Sequence, residues 1–347
     1  MKIIDLFSGI GGFALGFQRA GYQFTEHYFS EIDKHAIANY KYNFPHAKYI
    51  GDITTLHGGD FTDIDIITFG SPCQDFSLAG RRAGLKGAKS SLIAHAIALI
   101  AQLRPSVFVW ENVKGALTSN ARADFWALIQ AFANIGGYRL EWQLLNTSWL
   151  LPQNRERIYL VGHLGGRSIP GVFPFGENDK LLDRKTREKG WRGRNFKTSL
   201  ARTITARYSK MGSYDTYIVP KVAATLTGGG HSGGLHSDMT VIRQLKRGKN
   251  KGADLKICPT ISSNAFQENN LLGGVRRLTE IECERLQGFP DNWTQYGDYN
   301  GRIRRISKTQ RYKLIGNAVT VDIVELIAKR LKFIVDEFTP YTQEKLV

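Results

Sequence analysis

The chain has 347 residues, of which 42% are hydrophobic, and a formal net charge of +16. This length and apolar content exclude a largely disordered chain and leave room for two packed domains. No apolar run is long enough to cross a bilayer and no signal-peptide layout precedes the first strand, so we expect a soluble cytoplasmic protein.

The first 165 residues alternate between short apolar runs and amphipathic segments. Strands are predicted at Lys2–Leu6, Phe24–Phe29, Ile64–Phe69, Val107–Trp110, Leu140–Leu145 and Ile158–Val161. Helices are predicted at Phe13–Ala20, Asp33–Tyr40 with Asp33 as the cap, Ser91–Leu103 and Ala121–Ile135. Apolar strands separated by helices predict an α/β fold whose mostly parallel sheet is covered on both faces.

A glycine-rich turn follows the first strand, in the stretch Asp5-Leu6-Phe7-Ser8-Gly9-Ile10-Gly11-Gly12. Such a turn lets a ligand approach the backbone and the N-terminus of the next helix. Glu31 follows the second strand, where an acid can bind ribose hydroxyls, and Asp52 is a third candidate. The alternative is a tight structural turn with two surface acids, but the spacing favours a site for an adenosyl or nucleotide group.

Cys73 lies in the loop Gly70-Ser71-Pro72-Cys73-Gln74-Asp75-Phe76-Ser77, directly after a predicted strand. Ligand-facing residues of open α/β sheets lie at such strand ends. A lone cysteine is usually a small core residue, but the surrounding glycine, proline and serines indicate an exposed loop. The other cysteines, Cys258 and Cys283, are distant and show no CxxC spacing, which argues against a disulfide framework or a metal site.

Glu111 ends an apolar strand, so partial desolvation should raise the pKa of its carboxyl and leave it able to hold a proton. A protonated carboxyl can donate a hydrogen bond to a ring nitrogen. Arg155 and Arg157 alternate where a later strand begins, which predicts that both point to one side. The alternatives are a carboxylate that caps the sheet end and an arginine in a structural salt bridge.

The composition changes near Gly165. Residues 166–270 contain 19 Lys/Arg against 8 Asp/Glu, whereas residues 1–165 contain 15 against 13. This excess predicts a polyanionic partner, most commonly nucleic acid; a solubilising face would mix signs. The segment lacks helical periodicity, and its short repeats around Thr203, Thr225 and Thr260 predict an irregular β-rich domain.

Helical patterns return at the C-terminal end of the chain. Residues Arg276–Pro290 are predicted to be helical, with Thr279 as the cap before Glu280 and Glu282. A final helix is predicted over Val319–Val335, with Ile323, Leu326, Ile327 and Leu331 on its buried face. The basic region is therefore predicted to be inserted into an α/β domain.

Six segments occur in an order that resembles the DNA (cytosine-5)-methyltransferase family of prokaryotes and phages. They span Asp5 to Val321: the glycine turn, Pro72–Ser77, Glu111–Val113, Gln153–Arg157, Arg277–Pro290 and Gly316–Val319. The resemblance implies a Rossmann-like S-adenosylmethionine-dependent methyltransferase fold, with a smaller, irregular β-rich target-recognition domain inserted before the C-terminal helix. The predicted catalytic domain covers residues 1–168 and 308–347, and the recognition domain covers residues 169–307.

The resemblance also implies roles for individual residues. Cys73 is the nucleophile that adds to C6 of cytosine, Glu111 contacts N3 and the exocyclic amine, and Arg157 supports Glu111 with Arg155 close by. Glu31 binds the ribose, and Ile32 follows it where the family often has an aromatic residue. The other residues implied to bind S-adenosylmethionine are Phe7, Gly9, Ile10, Gly11, Gly12, Asp52, Ile53, Pro72, Asn317 and Val319.

The implied reaction is methylation of C5 of a cytosine that is flipped out of a specific double-stranded DNA sequence. The residues implied to contact DNA are Gln74, Ser77, Arg81, Arg82, Thr225 and Leu226. Gly80–Gly84 suits a mobile lid, and Thr203-Ile204 and Thr260-Ile261 compete with Thr225-Leu226 for the core of the recognition domain. Arginines such as Arg202, Arg207 and Arg243 could read guanines or bind phosphates.

Other functions remain open at this point. The same site could methylate cytosine in tRNA, although the long basic region favours duplex DNA. A nicotinamide-dependent dehydrogenase would leave Cys73 and Glu111 unexplained, and the intact Cys73 argues against an inactive DNA-binding relative. The expected enzyme needs no metal, acts as a monomer, and could be paired functionally with a restriction endonuclease.

Overall fold

The protein is described by a computed structural model, which covers residues 1–72, 91–165, 171–176, 201–202, 217–218, 242–244, 253–255 and 276–338. The helices are α1 (Gly12–Arg19), α2 (Lys34–Asn43), α3 (Ser91–Leu103), α4 (Ala123–Ala133), α5 (Glu280–Leu286), α6 (Lys308–Asn317) and α7 (Val321–Phe338). No helix in these ranges combines the length and the apolar character that crossing a membrane requires.

A large sheet forms the centre of the fold. The strands of the chain are β1 (Lys2–Leu6), β2 (Glu26–Ser30), β3 (Lys48–Tyr49), β4 (Ile66–Gly70), β5 (Val107–Val113), β6 (Tyr138–Asn146), β7 (Gln153–Asn154), β8 (Glu156–Leu164), β9 (Ala201–Arg202), β10 (Tyr217–Ile218), β11 (Ile242–Gln244), β12 (Ala253–Leu255), β13 (Arg276–Arg277), β14 (Tyr296–Asp298) and β15 (Ile303–Arg305). Seven of them make one sheet in the order β3-β2-β1-β4-β5-β8-β6. β3 to β5 are parallel, and β8 runs antiparallel to both β5 and β6.

Helices cover both faces of this sheet, as the apolar pattern predicts. Ile3 and Val109 face one side and pack with residues of α1 and α7. Neighbouring strand residues, such as Ile4 and Phe108, face the other side and pack with α3 and α4. Since side chains alternate along a strand, a continuous apolar run fills both cores at once. The α/β architecture predicted from the sequence is thus confirmed.

Several local predictions are also confirmed. The Asp33 side chain accepts hydrogen bonds from the amides of His35 and Ala36 and caps α2. Thr279 and Glu282 form a reciprocal capping box at the start of α5. The four predicted core residues of α7 are buried. β5 continues three residues past the predicted Trp110, because Glu111–Val113 pair with β8.

One predicted helix is shorter than expected. The pattern indicated helix over Arg276–Pro290, whereas α5 ends at Leu286. Gly288 adopts a φ of 80°, which favours glycine and ends the helix, and Pro290 follows. The chain then turns toward the first domain, where the Trp293 indole donates a hydrogen bond to the Ile10 carbonyl.

Residues 278–307, which the sequence analysis assigned to the recognition domain, include side chains that pack against α1 and α2. Phe289 and Ile306 are buried in one cluster with Ile10, Tyr40 and Leu314 of the catalytic domain. The apolar side chains of this segment therefore complete the α1–α2 surface.

Candidate active site

The turn after β1 has a backbone that most residues avoid. Phe7 has a φ of 50°, and Gly9 and Gly11 have φ values of 55° and 82°. Left-handed backbone is unusual for phenylalanine and clusters at functional sites. The Ser8 amide donates to the Ser30 carbonyl at 3.1 Å, which joins the turn to the end of β2. Gly11 is the N-cap of α1, so the turn presents the N-terminus of that helix.

The glycines of this turn differ in the space around them. A Cβ at Gly9 would meet no atom within 4 Å, so this side of the turn is open. At Gly12 a Cβ would lie 2.6 Å from Cγ2 of Val319, and at Gly11 it would lie 2.3 Å from the Phe44 ring. Gly11 and Gly12 are therefore packed against Phe44 and Val319, whereas the turn is open at Gly9, where a ligand could approach.

Glu31 is held at the end of β2 by three backbone amides. Its Oε2 accepts from Gly9 at 2.9 Å, and its Oε1 accepts from Ile32 at 2.7 Å and from Asp33 at 2.9 Å. A carboxylate has about four acceptor positions, so about one remains for a ligand hydroxyl. Ile32 beside it is 74% exposed, although it is a large apolar side chain.

Asp52 and Ile53 lie beyond β3 at the same edge. The Asp52 carboxylate accepts from the Thr54 amide at 3.0 Å and caps a short 3₁₀ turn, while Ile53 is buried. The Ser30 hydroxyl donates to the Gly51 carbonyl at 2.7 Å, so this turn is fixed to the end of β2. Glu31 and Asp52 therefore border one surface.

Ser71 and Pro72 follow β4 and are the last described residues before position 73. The Ser71 hydroxyl accepts from the Trp110 indole at 3.0 Å and from the Asn112 amide at 2.9 Å. These bonds fix the backbone that leads to position 73. Cys73, Gln74, Ser77, Arg81, Arg82, Thr225 and Leu226 lie outside the described residues, as does the Gly80–Gly84 segment.

Glu111 lies one strand away from this loop, at the end of β5. Its side chain is 10% exposed, and its Oε1 lies 3.1 Å from Nε of Arg157. Burial raises the pKa of the Glu111 carboxyl, and the positive charges of Arg157 and Arg155 offset only part of the rise. The direction predicted from the apolar strand is confirmed. A carboxyl of this kind can hold a proton and donate it in a hydrogen bond.

Arg155 serves a different part of the site than Arg157. Its Nη2 donates to the Ala318 carbonyl at 2.8 Å, in the turn between Asn317 and Val319. Asn317, the last residue of α6, is exposed, and Val319 is 8% exposed. Arg157 thus pairs with Glu111, whereas Arg155 binds the turn after α6.

A buried polar network supports this turn and was not anticipated from the sequence. The Thr320 hydroxyl lies 2.9 Å from that of Thr147 and donates to Gln287 at 3.1 Å. Gln287 donates in turn to the Ile315 carbonyl, and Gln153 donates to the Leu286 carbonyl. Gln153, Gln287 and Thr320 each occur in or beside a family motif, but only folding shows that they meet.

The predicted residues converge on one edge of the sheet. A Cβ on Gly70 would lie 3.2 Å from Oε2 of Glu111 and 3.8 Å from Cγ1 of Val319, and Val319 also contacts Gly12. The acid of β5, the end of β4 and the glycine turn are therefore neighbours. Within the described ranges no cluster of metal-binding side chains occurs.

Comparison with known proteins decides the family. A model of C-5 cytosine-specific DNA methylase matches residues 1–333. The chain belongs to this family. It is therefore a DNA cytosine-5 methyltransferase, and the resemblance inferred from the six motifs is confirmed.

Relatives of this methyltransferase cover nearly the whole chain. It is 32% identical to the Type II methyltransferase M.NgoBI of Neisseria gonorrhoeae, over 94% of this chain and 92% of the relative. It is 31% identical to M.HaeII of Haemophilus aegyptius, over 94% of this chain and 91% of the relative. The solved structure of the Entamoeba histolytica methyltransferase EhMeth matches with a TM-score of 0.61 over 97% of this chain and 98% of that one. At 15% identity, this last match shows the fold alone.

Proposed function

We propose that this methyltransferase uses S-adenosylmethionine to methylate a cytosine in a specific duplex DNA sequence, with Cys73 as the nucleophile. The observation that carries the proposal is Glu111, a buried carboxyl with a raised pKa that is paired with Arg157 at the sheet edge where the Cys73 loop begins. Glu111 and Val319 both lie beside Gly70, so the acid adjoins the proposed cofactor surface.

The residues at this edge fit the cofactor. The open space at Gly9 suits close approach of its methionine part to Phe7, Ile10, Gly11 and Gly12. Glu31 retains about one acceptor position, which suits a ribose hydroxyl. The exposed Ile32 offers an apolar surface to the adenine beside Asp52 and Ile53. Pro72, Asn317 and Val319 complete the proposed lining. When bound, S-adenosylmethionine supplies an electrophilic methyl group, and no metal is required.

The proposed chemistry begins with the thiolate of Cys73, which forms a bond to C6 of cytosine. The C5–C6 double bond is lost, and its electrons make C5 nucleophilic. Glu111 donates a hydrogen bond to N3 and stabilises the charge that develops on the ring. C5 then takes the methyl group as its bond to the donor sulfur breaks, which leaves S-adenosylhomocysteine. A base removes the C5 proton, the double bond re-forms and Cys73 leaves as a thiolate.

We propose that the arginines position this acid. Arg157 holds one oxygen of Glu111, which leaves Oε2 to face the base. Arg155 keeps the Ala318 carbonyl and thereby the adjoining Val319 in place. A flipped cytosine is required, because the target carbon is inaccessible in a stacked duplex.

The DNA-reading roles are proposals from the sequence. Gln74, Ser77, Arg81 and Arg82 would close on the DNA, and Thr225 and Leu226 would form the core of the recognition domain. The positive charge of residues 166–270 supports a polyanion there. We place the second domain boundary near residue 277 and not at 307, because Phe289 and Ile306 pack with the catalytic core. We also propose a monomer in the cytoplasm.

Covalent trapping on DNA that contains 5-fluorocytosine tests the proposal. Fluorine at C5 cannot be removed as a proton, so the bond between Cys73 and C6 should persist after methyl transfer. We expect a denaturation-resistant adduct with wild-type protein and with Cys258→Ser, and none with Cys73→Ser. If wild type forms no adduct on methylatable DNA in the presence of S-adenosylmethionine, the proposed nucleophile is wrong.

RNA methylation remains the second candidate. The structural match to EhMeth has too low a sequence identity to choose between DNA and tRNA as the substrate. The sequence relatives are named Type II methyltransferases, which favours DNA. Incubation with labelled S-adenosylmethionine and duplex DNA or tRNA separates the two substrates. Label that enters only the tRNA would exclude the DNA proposal.

A further inference from the structure

The β14–β15 hairpin carries an excess of positive charge outside the basic insertion. Residues 296–305 contain three arginines and one acid, Asp298. Arg302, Ile303, Arg304 and Arg305 are all exposed, and Ile303 has 54% of its surface accessible. A solvated surface usually mixes charges of both signs, so this composition calls for an anionic partner.

The hairpin arginines remain available for such a partner. None of the three forms an ion pair with a carboxylate in the part of the chain that the structure describes. Arg305 lies over the Tyr296 ring, with its guanidinium carbon 5.9 Å from the centroid. Arginine favours phosphate because its planar donors match phosphate oxygens.

The hairpin is firmly attached to the catalytic domain. Its base is fixed by Asn39 of α2, whose amide donates to the carbonyls of Trp293 and Tyr296 at 2.9 and 2.8 Å. The buried Glu284 accepts from the amides of Asn292 and Thr294, which fixes the preceding turn. The arginines are thus presented from a supported scaffold, so binding would require little ordering of the backbone.

The tip of the hairpin lies at the same edge of the sheet as the proposed active site. The Tyr299 hydroxyl is 2.6 Å from Nδ1 of His35, in the first turn of α2. Asp33 caps that helix two residues after Glu31, and it also pairs with Lys313 at 2.5 Å. The hairpin therefore flanks the edge at which Glu31, Pro72 and Glu111 are found.

We propose that the β14–β15 hairpin is a second DNA-binding surface, at which Arg302 and Arg304 bind phosphates of the duplex outside the recognition domain. This inference rests on the proposed function, since it assigns a further contact to the same DNA. Because phosphates are common to all sequences, the hairpin strengthens binding to target and unrelated DNA alike.

The test measures the dependence of DNA affinity on salt concentration by fluorescence anisotropy. Each phosphate contact contributes about 0.9 to the slope of log affinity against log salt concentration. We expect Arg302→Gln/Arg304→Gln to reduce that slope by roughly 1.8 on both target and unrelated duplexes. Arg302→Lys/Arg304→Lys should retain most of the slope, because the charges remain.

A charge-matched control separates local contact from net charge. Lys2 and Lys48 lie near Glu26 at the opposite edge of the sheet, where β1 and β2 begin. Lys2→Gln/Lys48→Gln removes the same charge and should leave the slope unchanged. At saturating DNA, the hairpin variant should methylate as fast as wild type.

Equal slopes for the hairpin variant and this control would overturn the inference. So would substitutions that reduce the slope for duplex RNA but leave the slope for duplex DNA unchanged. The result is separable from the proposed function, which is judged by the wild-type adduct with 5-fluorocytosine. A wild-type protein that forms the adduct but shows no effect of the hairpin substitutions would refute this inference alone.

Discussion

Nε of Arg157 lies 3.1 Å from Oε1 of Glu111, across the antiparallel pair of β5 and β8. The carboxyl is buried and its pKa is raised despite this positive neighbour. Arg157 thus orients the carboxyl, while burial outweighs the opposing effect of the arginine charge on its pKa. The first two predictions follow from this relationship.

Replacing Arg157 should change catalysis more than cofactor binding. Lysine keeps a charge but lacks the planar donors of arginine, so Arg157→Lys should lower kcat roughly tenfold, or about 1.4 kcal/mol of barrier. The affinity for S-adenosylmethionine, measured by calorimetry, should stay close to that of wild type. A parallel loss of cofactor affinity would indicate a general structural defect.

Glu111→Gln should lower kcat by about 10²-fold and alter its pH dependence. The raised pKa keeps Glu111 protonated to higher pH, and the wild-type rate should fall when alkali finally removes that proton. Glutamine has no such proton to lose, so the alkaline decline should disappear. Rates measured across pH test this, with Glu156→Gln, at a partly exposed glutamate of the neighbouring strand β8, as the control. An unchanged alkaline decline would assign it to another group.

The Thr320 hydroxyl should matter for cofactor binding, because it links Thr147 and Gln287 behind Val319. Thr320→Val keeps the shape but removes the hydroxyl, and the loss of about 1 kcal/mol should raise KM for S-adenosylmethionine about fivefold. Thr320→Ser keeps the hydroxyl and should resemble wild type. Equal KM values for the two variants would show that this hydrogen bond does not support the cofactor surface.

Asp5 should make the protein less stable at alkaline pH. Burial raises the pKa of its carboxyl from 3.8 to about 8, although Thr68 and Tyr40 donate hydrogen bonds to it. Between these values the folded chain holds a proton that the unfolded chain has lost. The free energy of unfolding should therefore fall as pH rises through this window.

Urea denaturation at about pH 6 and about pH 9 measures this effect. Asp5→Asn cannot ionise and should reduce the loss of stability between the two conditions. Asp60→Asn, at an exposed carboxyl, serves as the control and should behave like wild type. If Asp5→Asn loses as much stability as wild type, Asp5 is not the responsible group.

The sequence by itself determined most of the catalytic domain. Continuous apolar runs, such as Ile64–Phe69, predicted buried parallel strands, and the Asp33 and Thr279 caps marked helix starts. These features are local, because hydrogen-bond periodicity and capping depend on residues within one or two turns. The six ordered motifs determined the family for the same reason, since each is a short stretch of chain.

Only the tertiary structure decided which distant residues meet. Gly12 contacts Val319 and Trp293 binds the Ile10 carbonyl across almost the entire chain, and no periodicity predicts such contacts. The same limit applies to residues 278–307, whose packing against α1 and α2 the sequence did not predict. The apolar side chains of that segment could be recognised in the sequence, but the surface that buries them exists only after α1 and α2 have packed together.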